Sequence, residues 1–170
     1  MQMIKKQNIL VIGSKELVSF PRLNISDVPA KIDTGADTSS VWVSGIKVTR
    51  EGLTFKLFDK RNKYYTGETI TVPTYETAVI RSSSGIPEKR YKVRMVVLVH
   101  NRRIRAYFTL ADRSTMQYPI LLGRRLLNNK FIVDVSKEYI ASSPDKSKKK
   151  TLKLAKNSKI AKNVLVKRKK

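Results

Sequence analysis

Cysteine is absent from this chain of 170 residues, and histidine occurs only once. The lack of cysteine excludes disulfides and thiolate metal sites, and one histidine leaves little to form a zinc site, whose ligands are usually His or Cys. The first apolar run, ILVI, is too short for a signal-peptide core, and no segment approaches the roughly 20 apolar residues of a membrane span. We therefore expect no bound metal, no membrane contact and a cytoplasmic location.

Acidic residues are few: 36 Lys and Arg stand against 13 Asp and Glu, a formal net charge of +23. Residues 142–170 hold twelve Lys and Arg and one Asp, a net +11, whereas residues 1–141 hold 24 basic and 12 acidic residues, a net +12. We predict a moderately basic domain over residues 1–141, followed by a basic tail over 142–170 with the composition of a disordered segment.

Helical patterns are scarce, whereas short segments rich in Val, Ile, Thr, Tyr and Phe recur along residues 8–135. Gly, Pro, Asn and Ser separate these segments, as is typical of short, mostly antiparallel strands. HNRRI, residues 100–104, predicts a tight hairpin turn through Asn101. RRLLNNK, residues 124–130, predicts a short helix that ends at its Asn pair. The sequence therefore predicts a mostly β domain with one short helix near its end.

KIDTGADTSS, residues 31–40, places an Asp-Thr-Gly tripeptide directly after a short apolar segment. Alone, this tripeptide most often forms an ordinary turn. It also suits acid proteolysis, in which two facing carboxylates share one proton; one acts as base on a water while the other donates a hydrogen bond to the scissile carbonyl. The glycine permits the tight turn that this arrangement needs.

A second motif, PILLGRRLL at residues 119–127, lies about 90 residues after the first, with strand segments between them. This pairing and order resemble the retropepsins, small aspartic proteases with one Asp-Thr-Gly-Ala per chain. The resemblance implies a closed β-barrel in which the apolar-apolar-Gly strand lies under the catalytic loop. Leu122 and Gly123 would support that loop, and the step from Gly123 to Arg124 would open the helix.

Further blocks resemble, in the same order over residues 13–141, a bacterial and archaeal retropepsin-like family: GSKELVSFPRL, VIRSSSG, LADRSTMQYPILLGRRLL and FIVDVSKEYI. Its members are commonly described as ATP-dependent zinc proteases, and some are encoded beside ligases that add glutamates to a ribosomal protein. This chain, however, lacks the G-x-x-x-x-G-K-[ST] and H-E-x-x-H motifs that bind phosphates and zinc. We therefore expect no ATP, no zinc and no other cofactor.

The resemblance assigns catalysis to Asp33, Thr34 and Gly35, with the threonine hydroxyl bonding across the pair. Because the chain holds only one Asp-Thr-Gly, the second carboxylate must come from another copy, and we expect a homodimer. The resemblance also implies that Asp37 forms an ion pair with Arg124, which would tie the catalytic loop to the helix.

Substrate contacts are expected from two segments. Ala36 and Asp37 would contact the peptide backbone from the catalytic loop. SSSGIPEK, residues 82–89, is open to interpretation as a mobile surface loop, but its place before YKVRMVVLV is that of a retropepsin flap, which closes over the peptide and limits water access. The expected flap contacts are Ser83, Ser84, Gly85 and Ile86.

Two interpretations are open for the segment LADRSTMQY, which contains Asp112, Arg113 and Ser114: a turn with an internal Asp–Arg pair, or contacts to a substrate subsite.

The basic tail has three interpretations: a solvated appendage, attraction to RNA or ribosomes, and attraction to an acidic substrate. Its lysines are not interleaved with aromatic residues, which argues against base stacking.

The sequence therefore favours an aspartic endopeptidase that acts as a homodimer on extended peptides, with acidic or glutamate-tailed proteins as the suggested substrates. The alternative is a non-catalytic retropepsin-like module that binds ribosomal or nucleic-acid partners through its basic surface and tail.

Overall fold

A computed structural model describes residues 9–81 and 87–140, without the side chain of Arg81. Strands dominate this part of the chain, as the recurring segments rich in Val, Ile, Thr, Tyr and Phe predict. They are β1 (Leu10–Gly13), β2 (Lys15–Phe20), β3 (Ile25–Asp33), β4 (Ser39–Thr49), β5 (Gly52–Leu57), β6 (Ile70–Val72), β7 (Glu76–Arg81), β8 (Pro87–Val99), β9 (Arg102–Ala111), β10 (Ile120–Gly123) and β11 (Phe131–Asp134).

The main sheet is ring-like. Its strands run in the order β10-β3-β2-β8-β9-β4, and β10 also pairs with β4, which returns the order to its start. The pairings of β10 with β3 and of β4 with β9 are parallel, while the other pairings in the ring are antiparallel. The predicted mostly β architecture is confirmed, and β10 joins the ends of the ring beside β3.

Alternating burial along the strands fills the interior of the ring. In β2, Val18 and Phe20 are buried while their neighbours are partly exposed. In β9, Ile104 and Phe108 are buried while Arg103 and Arg105 face solvent. Period-2 burial of this kind is what a strand with one face on a hydrophobic core produces.

The turn between β8 and β9 is the tight hairpin that HNRRI predicts. Val99 pairs with Arg102, so His100 and Asn101 alone make the turn. Both have positive φ, at 47° and 60°, as a two-residue hairpin turn of type I′ requires.

The helix α1 (Arg124–Leu127) confirms the predicted helix after Gly123, although it has four residues and ends before the Asn pair. A 3-10 helix (Pro21–Leu23) lies between β2 and β3. Within the described ranges, no helix is long and apolar enough to cross a membrane.

The flap region is partly strand. The predicted loop over residues 82–89 is wrong at its end, because Pro87–Lys89 belong to β8 and pair with β7. β-strand pairing extends this far because each residue from Arg81 to Glu76 has a partner along β8. The expected flap contacts Ser83, Ser84, Gly85 and Ile86 lie outside the described residues.

A small parallel sheet of β1 and β11 closes one side of the domain. It is tied to the ring by Glu16, which is fully buried on β2. The Oε1 atom of Glu16 accepts hydrogen bonds from Gly13 N at 2.7 Å and from Ile140 N at 3.1 Å. A buried carboxylate that joins both ends of the described chain was not recognisable from the sequence, where it occupies one position in an alternating strand.

Candidate active site

Asp33 is the last residue of β3 and lies opposite Gly123, the last residue of β10. The parallel register sets Leu122 beside Ile32, and both side chains are buried. The apolar-apolar-Gly strand therefore runs directly alongside the strand that carries the aspartate, as the resemblance implied. Because these two side chains are packed in the core, they fix the position of Asp33 at the end of β3.

The Asp33 carboxylate organises its own loop. Its Oδ1 atom accepts hydrogen bonds from Gly35 N and from Ala36 N, both at 3.1 Å. Among the described residues, no donor is bonded to Oδ2. Asp33 itself is partly buried, whereas Thr34 and Gly35 are exposed. One carboxylate oxygen is thus held by backbone donors, and the other is available for chemistry.

Gly123 allows the loop that follows Asp33, here called the Asp33 loop (residues 33–38), to lie against β10 and α1. A Cβ atom at this position would come within 2.7 Å of the Thr38 carbonyl carbon and 3.0 Å of the Ala36 oxygen. The amide of Gly123 donates to Ser39 Oγ at 3.1 Å, and the amide of Arg124 donates to the Ala36 oxygen at 2.8 Å. These contacts require a residue without a side chain at position 123.

The ion pair between Asp37 and the helix differs from the expectation. Arg125 Nε is 2.8 Å from Asp37 Oδ2, whereas Arg124 Nη2 is 3.9 Å from Oδ1. The expected pairing with Arg124 is therefore only marginal, and Arg125 is the closer partner. The two side chains leave the helix in different directions because successive helical residues are about 100° apart.

Arg113 lies within electrostatic range of Asp33. Its Nε donates to the Tyr118 oxygen at 3.0 Å. Burial lowers the pKa of the Arg113 guanidinium, the positive charge of Arg90 lowers it further, and the negative charge of Asp33 acts in the opposite direction. Asp112 instead accepts a hydrogen bond from Ser114 N at 2.9 Å. An internal pair of Asp112 with Arg113 is not among the ion pairs of the described residues.

Arg90 adds a second guanidinium to this region. Its Nη2 is 2.6 Å from Glu88 Oε2, while its buried Nε has no hydrogen-bond partner in the part of the chain described. Arg113 is therefore the guanidinium whose charge interacts with Asp33, while Arg90 is ion-paired with Glu88.

An open groove of about 530 Å³ borders the Asp33 loop. Thr34 and Asp37 line it on one side, and α1 with the following turn and β11 lines the other. Its lining residues are Thr34, Asp37, Arg124, Arg125, Leu127, Asn128, Asn129, Phe131 and Val133.

No group of three or more His, Asp and Glu side chains in residues 9–81 and 87–140 could hold a metal ion. His100, the one histidine of the chain, occupies the β8–β9 turn. The expectation of a site without zinc remains a prediction.

Comparison with known proteins gives consistent results for the fold. A family model described as RimB-like, for the retropepsin-like aspartic endopeptidase RimB, matches residues 11–144. A protein of unknown function from Legionella pneumophila, Lpg0085, has a crystal structure that superposes with a TM-score of 0.58 at 22% identity. The match covers 78% of this chain and 98% of that one.

Curated relatives carry a different name. A probable α-L-glutamate ligase of Shewanella pealeana is 33% identical over 136 residues, which is 78% of this chain and 30% of the ligase. A protein of the same name from Desulfotalea psychrophila is 30% identical over 128 residues, 73% of this chain and 28% of its own length. The chain thus spans less than a third of these relatives.

Proposed function

Because the chain belongs to the RimB-like family of retropepsin-like aspartic endopeptidases, we propose that it hydrolyses peptide bonds with a water activated by a pair of Asp33 carboxylates. The observation that carries this proposal is the geometry of Asp33. Its Oδ1 is fixed by two backbone amides at the end of β3, which leaves Oδ2 to face a second carboxylate and a water.

The chemistry needs one ionised and one protonated carboxylate. The ionised Asp33 takes a proton from the water, and the water oxygen bonds to the scissile carbonyl carbon. The protonated Asp33 donates a hydrogen bond to the carbonyl oxygen. When the tetrahedral intermediate collapses, the C–N bond breaks and the departing nitrogen receives a proton from the dyad. The products are a carboxylic acid and an amine.

The second carboxylate comes from a second copy of the chain. The chain has a single Asp-Thr-Gly, and Thr34 and Gly35 are exposed at the tip of the loop. Exposure at this position supports contact between two catalytic loops. The Thr34 hydroxyl would then bond across the dyad, and the groove beside Thr34 and Asp37 would become part of the dimer contact.

An acidic or glutamate-tailed protein is the substrate that the surroundings of Asp33 support best. Arg113 is half-buried within electrostatic range of Asp33, and Arg90 adds a second positive charge. Related sequences occur as part of chains named probable α-L-glutamate ligases, which supports a connection with added glutamate. The charge of residues 142–170 would add attraction at long range.

The test is cleavage of a peptide library by the full chain and by Asp33→Asn between pH 4 and pH 8. Asp27→Asn is the matched control, because Asp27 is exposed and has a φ of 57° that asparagine also adopts. We expect Asp33→Asn to lose cleavage while it still folds and dimerises, and Asp27→Asn to keep it.

Dilution tests the dimer in the same assay. Specific activity should fall as protein concentration drops below the dissociation constant of the dimer. Full cleavage by Asp33→Asn, or constant specific activity in a monomer confirmed by mass, contradicts the proposal. If the chain binds RNA and cleaves no peptide over this pH range, the result supports the alternative of a non-catalytic binding module.

A further inference from the structure

The β8–β9 hairpin, residues 87–111, concentrates positive charge. It includes seven Lys or Arg and one acid, Glu88, a net +6. This is half of the net +12 of residues 1–141. A charge so unevenly placed indicates a surface that attracts a negatively charged partner.

Strand alternation divides these side chains between two faces. Ile104 and Phe108 on β9 point into the core, as do Val93 and Val97 on β8. Among the alternate residues, Arg94 on β8 and Arg103, Arg105 and Tyr107 on β9 are exposed, and Lys92 is partly exposed. The outward face, here called the basic face, consists of Lys92, Arg94, Arg103, Arg105 and Tyr107.

Register brings the members of the basic face together. Arg94 lies opposite Tyr107. Arg103 and Arg105 are separated by one residue on β9, so their Cα atoms are about 6.7 Å apart along the strand. Arg103, Arg105 and Tyr107 therefore follow one another at this interval along β9, and Arg94 lies beside Tyr107 on β8.

Tyr107 holds two of the cations. Lys92 Nζ is 4.7 Å from the ring centroid and Arg94 Cζ is 5.3 Å from it, distances at which a cation is attracted to the ring. Lys92 also forms a 2.6 Å ion pair with Glu76. Arg94, Arg103 and Arg105 have no carboxylate within ion-pair distance among the described residues.

We propose that the basic face binds the phosphate backbone of a nucleic-acid strand. Arg103 and Arg105 take part in no ion pair of the described residues, and Arg94 interacts at longer range with Glu76, which is ion-paired to Lys92. These guanidinium groups are planar donors that match phosphate oxygens in pairs. The spacing of Arg103 and Arg105 on β9 suits a polymer with one charge per repeat, and the Tyr107 ring orients the Arg94 guanidinium beforehand. The contacts are to phosphate rather than to base edges, so binding is expected to depend on salt and little on sequence.

The test compares two charge-matched triple variants of the full chain. Arg94→Gln/Arg103→Gln/Arg105→Gln removes the basic face. Lys47→Gln/Arg50→Gln/Lys60→Gln removes the same charge from exposed positions elsewhere. Binding of a fluorescent 20-nucleotide single-stranded RNA is measured from 50 to 300 mM KCl, and thermal melting and peptide cleavage check that both variants fold.

We expect the basic-face variant to bind RNA at least roughly 10-fold more weakly near 0.1 M salt. The slope of log K against log salt should decrease in magnitude by about 2, because each of the three lost phosphate contacts contributes roughly 0.7 on a single strand. The control variant should change much less, because its basic face is intact.

Equal losses in the two variants, or an unchanged slope in the basic-face variant, would overturn the proposal. Poly-L-glutamate is the second probe. If it binds more tightly than RNA at equal salt, and only the basic-face variant loses it, the partner is an acidic polypeptide and the assignment to nucleic acid is wrong. Cleavage by Asp33 is a separate readout, so a failed peptidase assay leaves this result interpretable.

Discussion

Asp37 Oδ2 and Arg125 Nε are 2.8 Å apart, and this contact joins the Asp33 loop to the helix that follows β10. The backbone adds a second connection between the same residues, because the amide of Arg125 donates to the Asp37 oxygen at 3.1 Å. The loop that begins at Asp33 is therefore anchored to α1 by main chain and side chain together.

Arg125→Ala should impair catalysis more than Arg124→Ala, because Arg124 is 3.9 Å from the carboxylate. Both arginines are exposed, so either change should alter the free energy of unfolding by only about 0.2–1 kcal/mol. Values of kcat/KM and Tm for the two variants check this. A larger catalytic loss in Arg124→Ala would mean that the dimer, rather than the single chain, determines the partner of Asp37.

Gly123→Ala should destabilise the fold by about 1–3 kcal/mol. The new Cβ would approach the Thr38 backbone to 2.7 Å, and that backbone cannot move away without disturbing the loop that carries Asp33. Gly35→Ala is the control, since its Cβ would be 3.4 Å from the Asp33 Oδ1 atom. Thermal unfolding should separate the two; equal Tm values would show that the loop moves freely past β10.

Glu16→Ala should lower Tm by several degrees. It removes the acceptor for two amides, those of Gly13 and Ile140, and a buried group left unsatisfied costs about 1–3 kcal/mol. Glu16→Gln keeps an acceptor oxygen and should lose less, while Glu68→Ala, at an exposed position, should leave Tm unchanged. A Tm for Glu16→Ala equal to that of the wild type would contradict the bridging role.

The local sequence pattern was sufficient to predict the strands and the β8–β9 turn. Alternation of apolar and polar residues follows directly from the pleat, and the His-Asn pair between two such segments adopts the positive φ values of a two-residue turn. The Asp33 motif and the ILLG strand were also placed correctly side by side, because the resemblance fixed their order.

Contacts between residues far apart in the sequence could not be predicted from the sequence alone. Two adjacent arginines follow Gly123, and a linear pattern cannot tell which one turns toward Asp37. Glu16 occupies a core position in β2 that alternation assigns to an apolar residue, so its role depends on the amides of distant Gly13 and Ile140. The strand at Pro87–Lys89 required knowledge of the β7 partner, since Pro, Gly and Ser nearby favour a loop locally.

Arg113 tests the preference for an acidic substrate. A half-buried guanidinium within electrostatic range of Asp33 has lost part of its hydration, so a substrate carboxylate that reaches it recovers a charged hydrogen bond worth about 1.5–3 kcal/mol. Arg113→Gln should therefore reduce kcat/KM by roughly 10-fold or more on a glutamate-rich peptide, and by much less on a neutral peptide of equal length.

Two further variants separate recognition by Arg113 from support of the fold. Arg113→Lys keeps the charge but loses the planar pair of donors, so it should recover part of the preference for the glutamate-rich peptide. Arg50→Gln removes one positive charge from an exposed turn and should leave the ratio of the two kcat/KM values unchanged. Equal losses on both peptides in Arg113→Gln would instead assign this residue to holding the Tyr118 backbone, through the 3.0 Å hydrogen bond that it donates there. An unchanged ratio with full activity would mean that the acidic side chains of the substrate bind elsewhere, and the basic face of β8 and β9 would then be the next region to test.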